Sequence, residues 1–235
     1  MYLLNERSFS YNFRYSNCFN IGTQNQVMNI AKAAVLGAGT MGAGIAAHLS
    51  NAGIPTLLLD IAPNELNEAE AAKGLTLESP QVRNRIVNSL FDAAKKLKPA
   101  PFMLGDNAKL ITTGNFTDDL VKLKDCDFVI EAVVENLEIK HKLFAQVEAN
   151  RKPGAVIASN TSGIPIDSIA EPFSDDFKAH FVGIHFFNPP RYMKLVEVIP
   201  GSKTSGEIAC AVSGFLDQRL GKGVVPAKDR PNFIA

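Results

Sequence analysis

The chain has 235 residues, 46% of them hydrophobic, with 24 Lys and Arg against 24 Asp and Glu. That length supports a sizeable core, and zero net charge gives no electrostatic reason to bind nucleic acid or an anionic membrane. No run of about 18 apolar residues could span a bilayer, while three scattered cysteines (Cys18, Cys126, Cys210) lack metal-ligand spacing, so a reducing cytoplasm and no bound metal are expected.

Residues 1–27 are rich in Asn, Ser, Tyr and Phe and lack hydrophobic periodicity. They are expected to be a disordered extension, either an upstream translated segment or a flexible native arm, with the ordered domain running from 28 to 235. The apolar runs Ala33–Leu36 and Thr56–Asp60 flank a helix-compatible stretch from Met41 to Asn51. This is a strand-helix-strand unit, whose parallel strands need the crossover helix. The segment Pro63–Asn107 has helical spacing over 65–77 and again over 82–94, broken by Pro80 and closed by Pro99-Ala100-Pro101, which predicts an inserted helical pair. Its Lys95, Lys96 and Lys98 read as a solvated face, with an anionic substrate tail as the alternative. Two further buried strands are expected over 127–130 and 155–158, separated by a helix over 136–150. Strands over 181–187 and 195–199 and a helix over 205–220 complete the series. Alternation of this kind argues for an α/β fold with an open, mostly parallel, doubly wound sheet covered on both faces.

Gly37-Ala38-Gly39-Thr40-Met41-Gly42 follows a predicted strand and opens a helix, the context a dinucleotide-binding turn requires. The first glycine suits the tight turn, the second lets backbone approach a pyrophosphate, and the third permits close helix-sheet packing. Asp60, ending the next strand with Ile61 after it, is placed to accept from adenosine ribose hydroxyls and to repel a 2′-phosphate, which favours NAD over NADP.

Glu135 and Lys140 lie where the strand over 127–130 passes into its helix. Each has a plain reading, a helix-terminus acid and a surface lysine, beside a ligand-binding one at the carboxyl edge of the sheet. Ser159-Asn160-Thr161-Ser162 leaves the following strand at the same edge, where helix capping is the competing reading. His185-Phe186-Phe187-Asn188-Pro189 is followed by the strand over 195–199. Alternation places Glu197 with Leu195 and Ile199 on one face and Val196 and Val198 on the other. A carboxylate among those residues needs a partner, and a histidine donating its ring N–H would meet that need while being held in the tautomer of a general base. An edge-strand Glu in water and a core His are the plain alternative. His48, His141 and His180 are dispersed and read as structural or solvated.

Taken together, these segments resemble the 3-hydroxyacyl-CoA dehydrogenase family in its NAD-binding domain: GAGTMGAGIA (37–46), EAVVENLEIK (131–140), SNTSG (159–163), HFFNP (185–189) and KLVEVI (194–199), in order. The resemblance implies a Rossmann-like domain and oxidation of an L-3-hydroxyacyl-CoA to the 3-ketoacyl-CoA. It further implies that His185 is the base, Glu197 its orienting partner and Ser162 a hydroxyl at the catalytic centre, with Glu135, Lys140 and Asn188 contacting the nicotinamide side of the cofactor. Pro231-Asn232-Phe233-Ile234 stands where the family usually has a glycine after the proline. The family's helical second domain would lie beyond Ala235, so the resemblance implies part of a longer, oligomeric enzyme. The long segment before 127 is similar to bacterial fatty-acid oxidation proteins that add a crotonase-type hydratase domain. The rival readings are another β-hydroxyacid dehydrogenase, to which HFFNP is foreign, and a dinucleotide-binding protein without turnover.

Overall fold

A computed structural model describes residues 28–230, so the expected extension over 1–27 and the variant turn over 231–234 lie outside the described residues. The elements run β1 (Ala33–Leu36), α1 (Thr40–Asn51), β2 (Thr56–Asp60), α2 (Glu68–Ala72), α3 (Pro80–Arg83), α4 (Arg85–Ala94), β3 (Ile111–Asn115) and α5 (Phe116–Asp119). They continue as β4 (Phe128–Glu131), α6 (Leu137–Asn150), β5 (Val156–Ser159), α7 (Ile166–Ala170), α8 (Asp175–Ala179), β6 (Phe181–Phe186), β7 (Leu195–Pro200), α9 (Gly206–Gln218) and β8 (Gly223–Pro226).

Eight strands form one sheet in the order β3-β2-β1-β4-β5-β6-β7-β8. The first six are parallel, and β7 pairs antiparallel with β6 and parallel with β8. The order 3-2-1-4-5-6 is that of the doubly wound dinucleotide fold, whose ligand crevice opens between β1 and β4, where the winding reverses. The central strands are buried on both faces, as their continuous apolar runs require. One face (Val35, Leu58, Ile130, Val182, Ile184) packs on α1 and α9 through Ile45, Leu49, Val212 and Phe215. The other (Leu36, Leu57, Val129, Ile157, Phe181) packs on α6, α7 and α8 through Phe144, Val147, Ile169 and Phe177.

The expected helical pair is instead three short helices, α2, α3 and α4. The break comes at Gly74, which has φ +68°, and at Ser79, where Pro80 starts a new helix at its first position. They connect β2 to β3, an edge strand the sequence reading missed, so the segment is an enlarged crossover and not an addition before β4. Cys126 is buried and its thiol is pushed up to about 11 by burial. Among the described residues no helix is long and apolar enough to cross a membrane, and no cluster of three His, Cys, Asp or Glu could hold a metal.

Candidate active site

The turn between β1 and α1 is fixed by backbone contacts that only glycine allows at two positions. Gly37 has φ +100°, a left-handed conformation costly for any residue with a Cβ. At Gly42 a Cβ would lie 1.8 Å from the Gly37 carbonyl oxygen. Gly39 differs, because a Cβ there would meet nothing within 4 Å. Its missing side chain leaves an open cradle at the amino end of α1, whose first turn, beginning Thr40-Met41-Gly42, carries no acidic residue. The positive end of a helix dipole beside an open cradle is what a pyrophosphate requires.

Asp60 stands at the end of β2, half-buried. Its Oδ2 accepts from the Ala38 N–H at 2.6 Å and its Oδ1 from the Ile61 N–H at 2.7 Å. The carboxylate therefore braces the glycine turn as well as facing the cleft. A cavity of about 440 Å³ opens here, lined by Gly37, Gly39, Asp60, Ile61, Leu90 and Ile139 among others. Ile61, Leu90, Val134 and Ile139 are exposed hydrophobics around it, an apolar slot fitted to a flat aromatic base. Leu90 comes from α4, so the enlarged crossover supplies one wall, a role the sequence reading did not give it.

At the other end of the crevice, His185 and Glu197 are direct cross-strand partners in the antiparallel β6-β7 pair. His185 Nδ1 lies 2.7 Å from Glu197 Oε2, with side-chain exposures of 13% and 1%. A carboxylate can only accept, so Nδ1–H is the donor to Glu197. That bond orients the ring, and the His185 ring also packs on Phe187 with centroids 4.6 Å apart.

The loop leaving β5 joins these two regions. Asn160 Oδ1 accepts from the Phe186 N–H at 2.9 Å, tying the loop to the strand that carries His185. Glu135 Oε1 accepts from Thr161 Oγ1 at 2.6 Å and from the Ser162 and Gly163 N–H groups at 2.9 and 3.0 Å. Burial pushes the Glu135 carboxyl up, but the Thr161 hydroxyl, the Lys140 charge and the two amides outweigh it and hold the group below the ordinary range. Ser162 and Asn188 are exposed at this edge.

Lys140 is placed differently from the sequence expectation. It is buried, at 1% exposure, and its ammonium donates to both oxygens of Glu131 at 2.7 and 2.8 Å, with Glu135 Oε2 at 3.4 Å. It cannot lie against a ligand in this arrangement; it reaches the cleft only through Glu135. Glu131 itself was overlooked, because it reads as the end of an apolar strand. Also missed was Lys222, whose buried ammonium donates to the Pro190 and Met193 carbonyls and is pushed down to about 8 by burial. With Tyr192 donating to the Ala100 carbonyl at 3.0 Å, it holds the connection that follows His185. His48 is buried beside it and is not at the site; His141 and His180 bond backbone carbonyls, as structural histidines do.

Residues 32–230 match the family described as "3-hydroxyacyl-CoA dehydrogenase, NAD binding domain". The chain is similar to a probable 3-hydroxyacyl-CoA dehydrogenase of Bacillus subtilis (strain 168), 56% identical over 207 residues, covering 88% of this chain and 26% of that protein. It is also similar to one of Deinococcus radiodurans, 50% identical over 208 residues and covering 88% and 56%. The fold matches the crystal structure of (S)-3-hydroxybutyryl-CoA dehydrogenase PaaH1 from Ralstonia eutropha with TM-score 0.65 and 33% identity, covering 88% of this chain and 66% of that one. The chain thus spans about a quarter and just over half of the two curated relatives.

Proposed function

This chain belongs to the 3-hydroxyacyl-CoA dehydrogenase family as its NAD-binding domain, and we propose that it carries the proton-transfer pair for reversible oxidation of an L-3-hydroxyacyl-CoA to the 3-ketoacyl-CoA. The observation that carries this reading is the buried carboxylate of Glu197 holding His185 at 2.7 Å, beside a cleft already shaped for a dinucleotide.

The residues present fit NAD. Gly37, Gly39 and Gly42 with the first turn of α1 (Thr40, Met41) would hold the pyrophosphate, and Asp60 and Ile61 the adenosine ribose. Glu135 and Asn188 would face the nicotinamide side, with Lys140 acting through Glu135. NAD, when bound, supplies the acceptor for the hydride leaving C3 of the substrate. His185 takes the C3 hydroxyl proton on the ring nitrogen not bonded to Glu197. Glu197 offsets the positive charge that the ring then gains, which lowers the barrier without the carboxylate itself taking the proton. The exposed Ser162 hydroxyl, on the loop pinned between Glu135 and Phe186, would contact the substrate oxygen. In reduction the same proton returns from His185.

An acyl-CoA thioester is therefore the proposed substrate. That the intact protein is oligomeric and carries a crotonase-type hydratase domain belongs to the same proposal; a multifunctional setting is supported by a putative fatty acid oxidation complex trifunctional enzyme of Rickettsia felis, 42% identical over 206 residues, of which this chain covers 27%. The test is calorimetric titration of the chain with NADH, followed by addition of acetoacetyl-CoA. Tight NADH binding with loss of NADH on adding the thioester is expected, and failure to bind NADH would overturn the reading.

A further inference from the structure

Two carboxylates and one ammonium meet under the carboxyl edge of β4 and β5, and neither proton transfer nor nucleotide holding uses the deeper carboxylate. Glu131 is fully buried. Its Oε1 accepts from the Val133 N–H at 2.7 Å and from Lys140 Nζ at 2.7 Å, and its Oε2 from Ser159 Oγ at 2.5 Å and Lys140 Nζ at 2.8 Å. Anchored on three sides, it cannot swing. Lys140 therefore sits on Glu131 and stays 3.4 Å from Glu135 Oε2, which leaves Glu135 Oε1 to Thr161, Ser162 and Gly163.

Resting on the reading above, we infer that Glu131 is a positioning residue: by holding the Lys140 ammonium it keeps Glu135 available to tie down the 161–163 turn that presents Ser162 to His185. The reasoning is electrostatic. Removing one partner of a buried ion pair leaves the other charge uncompensated and strongly favours its re-pairing with the nearest remaining acid. Without Glu131 the remaining carboxylate near Lys140 is Glu135, and pairing with it draws that carboxylate away from the turn. Apart from Glu135, the turn is held at its start, where Asn160 Oδ1 accepts from the Phe186 N–H, and by the Ile164 N–H donating to Thr161 Oγ1 at 3.1 Å, and neither bond engages the Ser162 or Gly163 N–H. With the Glu135 bonds lost, the Ser162 and Gly163 amides are released and Ser162 is no longer fixed relative to His185; displacements of about 1 Å at reacting groups cost on the order of 10²-fold in rate.

The arrangement makes an unusual demand: removing the ammonium as well should undo the damage. Amide hydrogen exchange at Ser162 and Gly163 is measured in the full chain without cofactor, for the unaltered protein, Glu131→Gln and the double variant Glu131→Gln with Lys140→Met. Glu131→Gln should speed exchange at both amides by about tenfold or more, as expected for losing hydrogen bonds to a charged acceptor. The double variant should return to within about threefold of the unaltered chain, since nothing then competes for Glu135. Unchanged exchange in Glu131→Gln overturns the inference, and so does a double variant as unprotected as the single one, because Glu131 would then act by packing alone. If Glu131→Gln does not fold, the double variant decides, with protected amides supporting the inference and exposed ones refuting it. A parallel NADH titration of the unaltered chain separates the two proposals: absence of binding there defeats the proposed function while the exchange comparison still stands.

Discussion

Replacing Asp60 with serine should alter cofactor choice and loosen the glycine turn at once, because the carboxylate that braces the turn is also the one proposed to hold the adenosine ribose. Its oxygens hold the Ala38 and Ile61 N–H groups at 2.6 and 2.7 Å. A 2′-phosphate carries a charge of about −1.5 to −2. At roughly 5 Å from Asp60 and an effective dielectric of about 40 to 80, the repulsion amounts to about 1.2–3.3 kcal/mol, or roughly 8- to 270-fold in the ratio of NADH to NADPH affinity. Asp60→Ser should remove that discrimination. It should not create a good NADPH site, because two amides lose a charged acceptor, at a cost of up to about 1.5–3 kcal/mol each and less where water can replace it. Both cofactors should therefore bind the variant more weakly than NADH binds the unaltered chain, with their affinities brought close together. Calorimetric titrations at one fixed ionic strength read this directly, since salt screens the repulsion. Equal affinity for NADH and NADPH in the unaltered chain would refute the reasoning, as would an unchanged ratio in Asp60→Ser.

Glu197→Gln keeps the shape of a side chain only 1% exposed but removes the charge that stabilises a protonated His185. It should slow hydride transfer by roughly 10- to 100-fold, the worth of one hydrogen bond to a charged group, and stopped-flow loss of NADH at the unaltered rate would mark the carboxylate as structural. Gly42→Ala puts a Cβ 1.8 Å from the Gly37 oxygen, so the turn must shift at an overpacking cost of about 1–3 kcal/mol; unaltered melting temperature and NADH affinity would count against the close-approach argument. His48 is held neutral, with burial first and then the Lys222 charge lowering it to about 4. Between pH 6.5 and about 4 the unfolded chain binds a proton that the folded one does not. Stability from this group is therefore full above pH 6.5 and is lost as pH falls through that window, by about 3 kcal/mol in all. Urea unfolding of His48→Gln across this range should show a flatter acid limb, and identical slopes would contradict the assignment.

The layout of strands around the crevice was legible because its strands are short, continuous apolar runs at regular spacing, and the glycine turn and Asp60 sit at their ends. The His185-Glu197 pair was legible for a different reason: alternation in the strand over 195–199 buries a carboxylate that chemistry then requires to be paired, and the structure supplies that partner in register. Strand β3 escaped notice because Ile111-Thr112-Thr113-Gly114-Asn115 is an edge strand with little apolar content, and β8 because it is half exposed and ends in Pro226. The helical spacing before β3 was real, but Gly74 and Pro80 divide it more finely than periodicity shows. Lys140 was assigned to the cofactor because helix position alone cannot show that a long side chain turns inward to an acid nine residues earlier. Glu131 offered one signal, a carboxylate closing an otherwise apolar strand, akin to Glu197 within the apolar strand over 195–199. Leu90 and Lys222 depend on contacts between segments far apart in sequence, which no local pattern encodes.

The measurement that bears most directly on the His185-Glu197 pair is single-turnover reduction of acetoacetyl-CoA by chain-bound NADH, comparing the unaltered protein with His185→Ala. The account predicts a roughly 10²- to 10⁴-fold slower loss of NADH in the variant, the usual range for removing a general acid-base group, with NADH affinity unchanged within about twofold because His185 lies outside the nucleotide cleft. Reduction by His185→Ala at the unaltered rate would contradict the account.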